Sequence, residues 1–172
     1  MALNLNRIAV VYGGRSAERE ISLLSGQAVA ESLDKQGFKV VKIDLLHADI
    51  REILTEAFDK VFIMLHGKGG EDGVLQGFLS QANIPYTGSD VKSCALTIDK
   101  LKTKIIWDAV GIPTPRYKVI RNTVDIELAS KELQMPVVVK PNSEGSTLGI
   151  SIVRDAQEMH VAYEEARKYE EL

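Results

Sequence analysis

The sequence predicts an α/β protein: a parallel sheet flanked by helices, followed by a smaller α+β part. Three observations carry that prediction. Short β-branched apolar runs alternate with stretches of helical spacing, the pattern of a parallel sheet with helices on its faces. Two of the early runs, Arg7 to Tyr12 and Lys60 to Leu65, end in glycine-rich polar loops that lead straight into helices. The texture then changes near Asp99, where a basic amphipathic stretch and Pro113-Thr114-Pro115 break the alternation.

In chain order, Arg7-Ile8-Ala9-Val10-Val11-Tyr12 reads as the first strand and stops at Gly13-Gly14. Ser16 to Glu20 opens a helix that carries Ile21, Leu24, Ala28, Val29 and Leu33 as its apolar side. Gly37 closes it, Phe38 to Asp44 forms the second strand, and Ile50 to Phe58 a short helix before the strand Lys60 to Leu65. The helix Gly73 to Ala82 follows, then a turn at Ile84 to Gly88, and Ser89 or Asp90 caps a further helical segment. A domain boundary falls around residues 96 to 100, giving domains 1–96 and 97–172. The second holds a basic helix from Asp99 to Trp107, a strand Arg116 to Ile120, a helix Val124 to Leu133, a strand Pro136 to Lys140, a third strand Ile150 to Val153 and a helix from Asp155 towards Tyr169.

Composition narrows the function classes. With 45% hydrophobic and 26% charged residues, the 172-residue chain is an ordinary soluble globular protein rather than a disordered one. A net charge of -3 offers no basic face for nucleic acid, and no apolar run is long enough to span a bilayer. The start lacks an export pattern, and the single cysteine, Cys94, rules out an internal disulfide and fits a reducing cytoplasm. Cys94 sits among Val91, Ala95 and Leu96 at helical spacing, which marks a small core residue rather than a nucleophile.

Three loops carry chemistry. In Gly13 to Glu18 no third glycine completes a dinucleotide fingerprint, and Asp44 alone is a weak ribose ligand. Glu18 reads either as a first-turn carboxylate favoured by the helix dipole or as an anion placed to hold a substrate ammonium. His66 to Gly73 has four glycines in eight residues, so its backbone can approach a ligand, while His66 either packs as scaffold or steers a substrate carboxylate. The third loop begins with Lys140 at the end of Val137-Val138-Val139, where a lysine must reach solvent or an anion. Glu144-Gly145-Ser146-Thr147-Leu148-Gly149 then adds hydroxyls and freely oriented amides suited to a phosphate, although neither glycine-rich loop matches a Walker A pattern. No His, Cys and carboxylate set has convincing metal spacing.

Taken together, Gly13 to Ser22, Leu65 to Gly73, Pro85 to Ser89, Asp99-Lys100, and Val139-Lys140-Pro141 with Glu144-Gly145-Ser146 resemble the D-alanine-D-alanine ligases in order and over nearly the whole chain. That family belongs to the ATP-grasp ligases. The resemblance implies a Rossmann-like amino-terminal, substrate-binding domain (1–96) and an incomplete first ATP-grasp subdomain (97–172). It also implies ligation of two D-alanines through an acyl phosphate for peptidoglycan synthesis, with ATP and two Mg2+ (or Mn2+) ions, in a cytoplasmic homodimer. Matched residue by residue, Glu18 would hold the ammonium of the first D-alanine and Ser146 would bond to Glu18 and orient the site. His66 would lie near the substrate carboxylate. Lys100 and Lys140 would contact ATP, with the Gly145-Ser146-Thr147 loop covering its phosphates.

Members of the family are considerably longer, and the carboxy-terminal domain that carries their metal ligands has no counterpart in these residues. The 172 residues are therefore expected to be an amino-terminal portion of the ligase, inactive alone. A D-alanine-D-lactate or D-alanine-D-serine ligase of the same fold is the near alternative, because selectivity for the second substrate would lie in the missing part. A non-catalytic small-molecule binding module is the alternative from another class.

Overall fold

A computed structural model describes residues 7–169, which fall into two compact units divided between Ala95 and Leu96. In the first, β1 (Arg7–Tyr12) is the central strand of a three-stranded parallel sheet of order β2-β1-β3, with β2 spanning Lys39–Asp44 and β3 Lys60–Ile63. Val10 pairs with Lys42 on one side and Phe62 on the other. A central parallel strand is covered on both faces, which is why Ile8, Ala9, Val10 and Val11 are all apolar and all buried. Ala9 and Val11 face a core completed by Ile43, Val61, Ile53 of α2 (Glu52–Thr55) and Leu75 and Leu79 of α3 (Val74–Gln81). Each large side chain fully buried there stabilises the unit by about 1.5 to 3 kcal/mol.

The opposite face of β1 packs against α1 (Arg19–Lys35), and here the expected helix orientation is corrected. Ile21 and Leu24 are exposed, at 55% and 71%, while Ser22, Gly26 and Ala30 are buried. The reason is close approach: a Cβ on Gly26 would lie 2.5 Å from Tyr12 Cβ, so only small residues fit between helix and strand. Asp90 Oδ1 accepts from the Ser93 amide at 2.8 Å and so caps α4 (Val91–Ile98). Cys94 of that helix is buried, and burial pushes its thiol up, as a packed core residue requires.

The second unit is built on a two-stranded antiparallel sheet, β4 (Val137–Val139) with β5 (Ser151–Val153). Val139 and Val153 pack on Ile126 and Ala129 of α6 (Thr123–Glu132) and on Met159, Ala162 and Ala166 of α7 (Met159–Arg167). The cross-strand pair Val138 and Ile152 turns the other way and is exposed. The strand expected over Arg116 to Ile120 does not form. Pro113 and Pro115 lack amide donors, and Lys104 of α5 (Lys100–Ala109) holds the segment instead, with Nζ 2.7 Å from Thr114 Oγ1 and 3.0 Å from the Pro115 carbonyl.

Candidate functional site

The loops after β1 and β3 meet at the carboxyl ends of their strands, the edge where open α/β sheets present ligand sites. Three serines stitch them together. Ser22 Oγ accepts from the Gly13 amide at 2.8 Å and donates to the Met64 carbonyl at 2.5 Å, tying α1 to the ends of both strands. Ser16 Oγ donates to the His66 carbonyl at 2.7 Å, and the Glu18 amide donates to Ser16 Oγ at 3.2 Å. Ser25 Oγ lies 3.0 Å from His66 Nε2.

Glu18 is the N-cap of α1, yet its carboxylate makes no capping hydrogen bond. The side chain is only 6% exposed and lies along the second loop, where a Cβ on Gly67 would stand 2.9 Å from Glu18 Oε2. Gly67 has φ of 65°, so a larger residue there would be strained in its backbone and would have to push the end of the Glu18 side chain aside. Glu18 and His66 thus occupy one corner of the first unit. His66 is half-buried, with Nδ1 3.7 Å from Glu71 Oε1. Asp72 serves the turn itself, accepting from the amides of Gly69 at 2.7 Å and Val74 at 3.0 Å. Buried Gln76 donates to the Gly70 carbonyl at 2.7 Å and holds the loop to its own helix.

A second clamp sets the first loop. Arg19 donates to both oxygens of Asp44, at 2.8 and 2.6 Å, and to the Gly14 carbonyl at 3.1 Å. Asp44 also accepts from the amides of Leu46 at 2.9 Å and Gly14 at 3.3 Å. The Arg19 bonds hold the Asp44 carboxyl well below the usual carboxylate range despite partial burial, and the two amides add to the effect.

The remaining predicted residues lie in the second unit. Lys140 is exposed at the end of β4, and Ser146 and Thr147 are exposed beside half-buried Gly145. Ser146 has φ of 51°, a left-handed conformation that a non-glycine residue adopts at a cost. Lys100 Nζ donates to the Asn142 carbonyl at 3.2 Å and to the Glu144 carbonyl, so it braces the loop after Lys140. Asn142 completes the brace: its Oδ1 accepts from the Leu101 amide at 2.8 Å and its Nδ2 donates to Asp99 Oδ1 at 3.0 Å. Burial opposes ionisation of Asp99, but the side chain and amide of Lys102 together with Asn142 outweigh it and bring the carboxyl down to about 2.

Sequence reasoning passed over Ser16, Ser25, the Arg19–Asp44 pair, Gln76 and Asn142 as individual participants. One signal was available: Ser22 and Ser25 lie three apart on a helix whose neighbouring loop is expected to bind. Among the described residues, no group of three or more His, Cys, Asp or Glu side chains comes together as a metal site. No helix among them is long and apolar enough to cross a membrane.

Residues 7–50 and 44–89 match the family model of the D-ala D-ala ligase N-terminus, and residues 106–172 match that of the D-ala D-ala ligase C-terminus. The chain is 49% identical over 164 residues to a D-alanine--D-alanine ligase of Pseudomonas putida (strain GB-1), covering 95% of this chain and 52% of the relative. Among solved structures, D-alanine--D-alanine ligase from Bacillus anthracis superposes with a TM-score of 0.80 at 35% identity, covering 96% of this chain and 55% of that one. The same ligase complexed with ATP superposes with a TM-score of 0.76 at 34% identity over 98% of this chain and 55% of that one. The chain spans about half the length of the relatives it matches.

Proposed function

The chain belongs to the D-alanine-D-alanine ligase family, matched by both of its terminal models, and from that premise we propose that it serves the ATP-dependent ligation of two D-alanines for peptidoglycan synthesis. The observation that carries this reading is the corner where nearly buried Glu18 lies against Gly67 beside His66. A carboxylate so placed favours a cation, and the ammonium of a first D-alanine supplies one while its carboxylate lies towards His66.

In the second unit, Lys140, Lys100 and the Gly145-Ser146-Thr147 loop have the chemistry for ATP phosphates: two ammonium groups, two hydroxyls and the backbone amides of the loop. ATP supplies the phosphoryl group that makes the first substrate's carboxylate a competent electrophile. Lys100 would exchange loop carbonyls for phosphate oxygens, and Ser146 would orient the substrate side of the loop. The Mg2+ or Mn2+ ions that accompany ATP would be held in a chain of the relatives' full length, since among the described residues no group of three or more His, Cys, Asp or Glu side chains gathers. A cytoplasmic location agrees with the free Cys94. Exposed Ile21 and Leu24 on α1 support assembly of the whole ligase as a homodimer.

Calorimetric titration of the chain with D-alanine and, separately, with ATP tests this reading. Saturable D-alanine binding that Glu18→Gln abolishes is expected, as is ATP binding that Lys140→Met weakens. An absence of D-alanine binding, or binding indifferent to Glu18, would remove the first unit from the substrate site. Dipeptide formation is proposed for a chain of the relatives' full length.

A further inference from the structure

Ser25 lies one turn beyond Ser22 on α1, and its hydroxyl has three neighbours. His66 Nε2 is 3.0 Å away, the Ile21 carbonyl 3.0 Å and the Ser22 carbonyl 3.3 Å. A hydroxyl has one proton to give, and a carbonyl can only accept. A helical serine commonly returns its proton to the carbonyl four residues earlier, here Ile21. The oxygen lone pairs then face the imidazole, and Nε2 must carry the hydrogen that joins them. On the other edge of the ring, Nδ1 stands 3.7 Å from Glu71 Oε1. That separation is beyond hydrogen-bond length, so Glu71 does not hold a proton on Nδ1 of the neutral ring. Glu71 and, past Gly67, Glu18 bring carboxylates to this corner, and Lys68 of the same loop follows two residues after His66.

We propose that Ser25 is a positioning residue that fixes neutral His66 as its Nε2–H tautomer and turns the ring so that Nδ1 is the nitrogen offered to a carboxylate. This rests on the reading that places His66 near the carboxylate of the first D-alanine. Protonation of the ring then occurs at Nδ1 alone, and the new N–H faces Glu71 until a substrate carboxylate replaces it. Ser25 keeps Nε2 engaged throughout, so the ring does not turn to meet the ligand.

Long-range 1H–15N correlation spectra of the 15N-labelled chain test the assignment, with His66 distinguished from His47 and His160 by its loss in His66→Gln. At about pH 8, above the ordinary histidine pKa, the expected pattern is a pyrrole-type Nε2 and a pyridine-type Nδ1. Ser25→Ala is expected to give a mixture of tautomers, and Ser25→Thr to keep the Nε2–H form. An Nδ1–H tautomer in the unaltered chain overturns the proposal whether or not the variants fold. An unchanged tautomer ratio in folded Ser25→Ala overturns it equally. D-alanine added to the same sample separates the underlying reading: if the His66 ring signals keep the expected tautomer but do not move, the substrate assignment fails while the role of Ser25 stands.

Discussion

Arg19 holds Asp44 through both terminal guanidinium nitrogens, Nη1 and Nη2, and the pair closes over the Gly14 backbone, so the loop that presents Glu18 is fastened to the end of β2. Asp44→Asn keeps the shape but removes the charge that Arg19 and two amides share. We expect a loss of roughly 2 kcal/mol, the scale of hydrogen bonds to a charged group, read as a lower urea midpoint at neutral pH. Folding lowers the Asp44 pKa, so this contribution is complete above the unfolded carboxylate value of about 3.9 and fades as the pH falls below it. The gap between Asp44→Asn and the unaltered chain should therefore narrow in acid; a gap independent of pH would remove the ion pair from the account.

Ser22 is fully buried and serves two strand ends at once. Ser22→Ala leaves the Gly13 amide and the Met64 carbonyl without their partner, which should cost about 3 kcal/mol. Thermal unfolding measures it, and a change well under 1 kcal/mol would mean that water or a backbone shift replaces the hydroxyl.

Gly67→Ala tests the closeness of the two loops. The left-handed backbone alone costs about 1 to 2 kcal/mol, and the new Cβ must displace Glu18. D-alanine binding should fall by more than stability does. Equal affinity in Gly67→Ala would show that Glu18 has room to move without consequence.

Glu18→Gln in a full-length ligase should lower kcat/KM for the first substrate by an amount equivalent to about 2 to 4 kcal/mol, with the protein still folded. Kinetics identical to those of the unaltered ligase would end its assignment to the ammonium.

Asn142→Ala should release the loop after Lys140 from α5. Amides 143–149 and that of Leu101 should exchange faster with solvent, while amides of α6 and α7 keep their protection. Uniform acceleration across the second unit would make Asn142 a general stability residue rather than a loop anchor.

The strands were legible because apolar β-branched runs such as Arg7 to Tyr12 have few other uses, and the loops because glycine beside charge at a strand end is uncommon. The second unit was less so. Arg116 to Ile120 has strand composition but joins no sheet among the described residues, and strand formation depends on a neighbour that a local pattern cannot supply.

From sequence alone came the α/β class, the order of the elements in the first unit, and the loops that carry Glu18, His66 and Lys140, since each is written in short-range pattern. Tertiary structure decided the rest. Ile21 and Leu24 face outward because α1 turns Ser22, Gly26 and Ala30 inward, with Gly26 so close to Tyr12 that no side chain fits between them. Ser25 became the partner of His66, 41 residues away, and Asn142 that of Leu101, also 41 away. Hydrogen-bond partners at such separations are set by where the folded chain brings a side chain within about 3 Å of a distant side chain or backbone amide, a distance no one-dimensional spacing encodes.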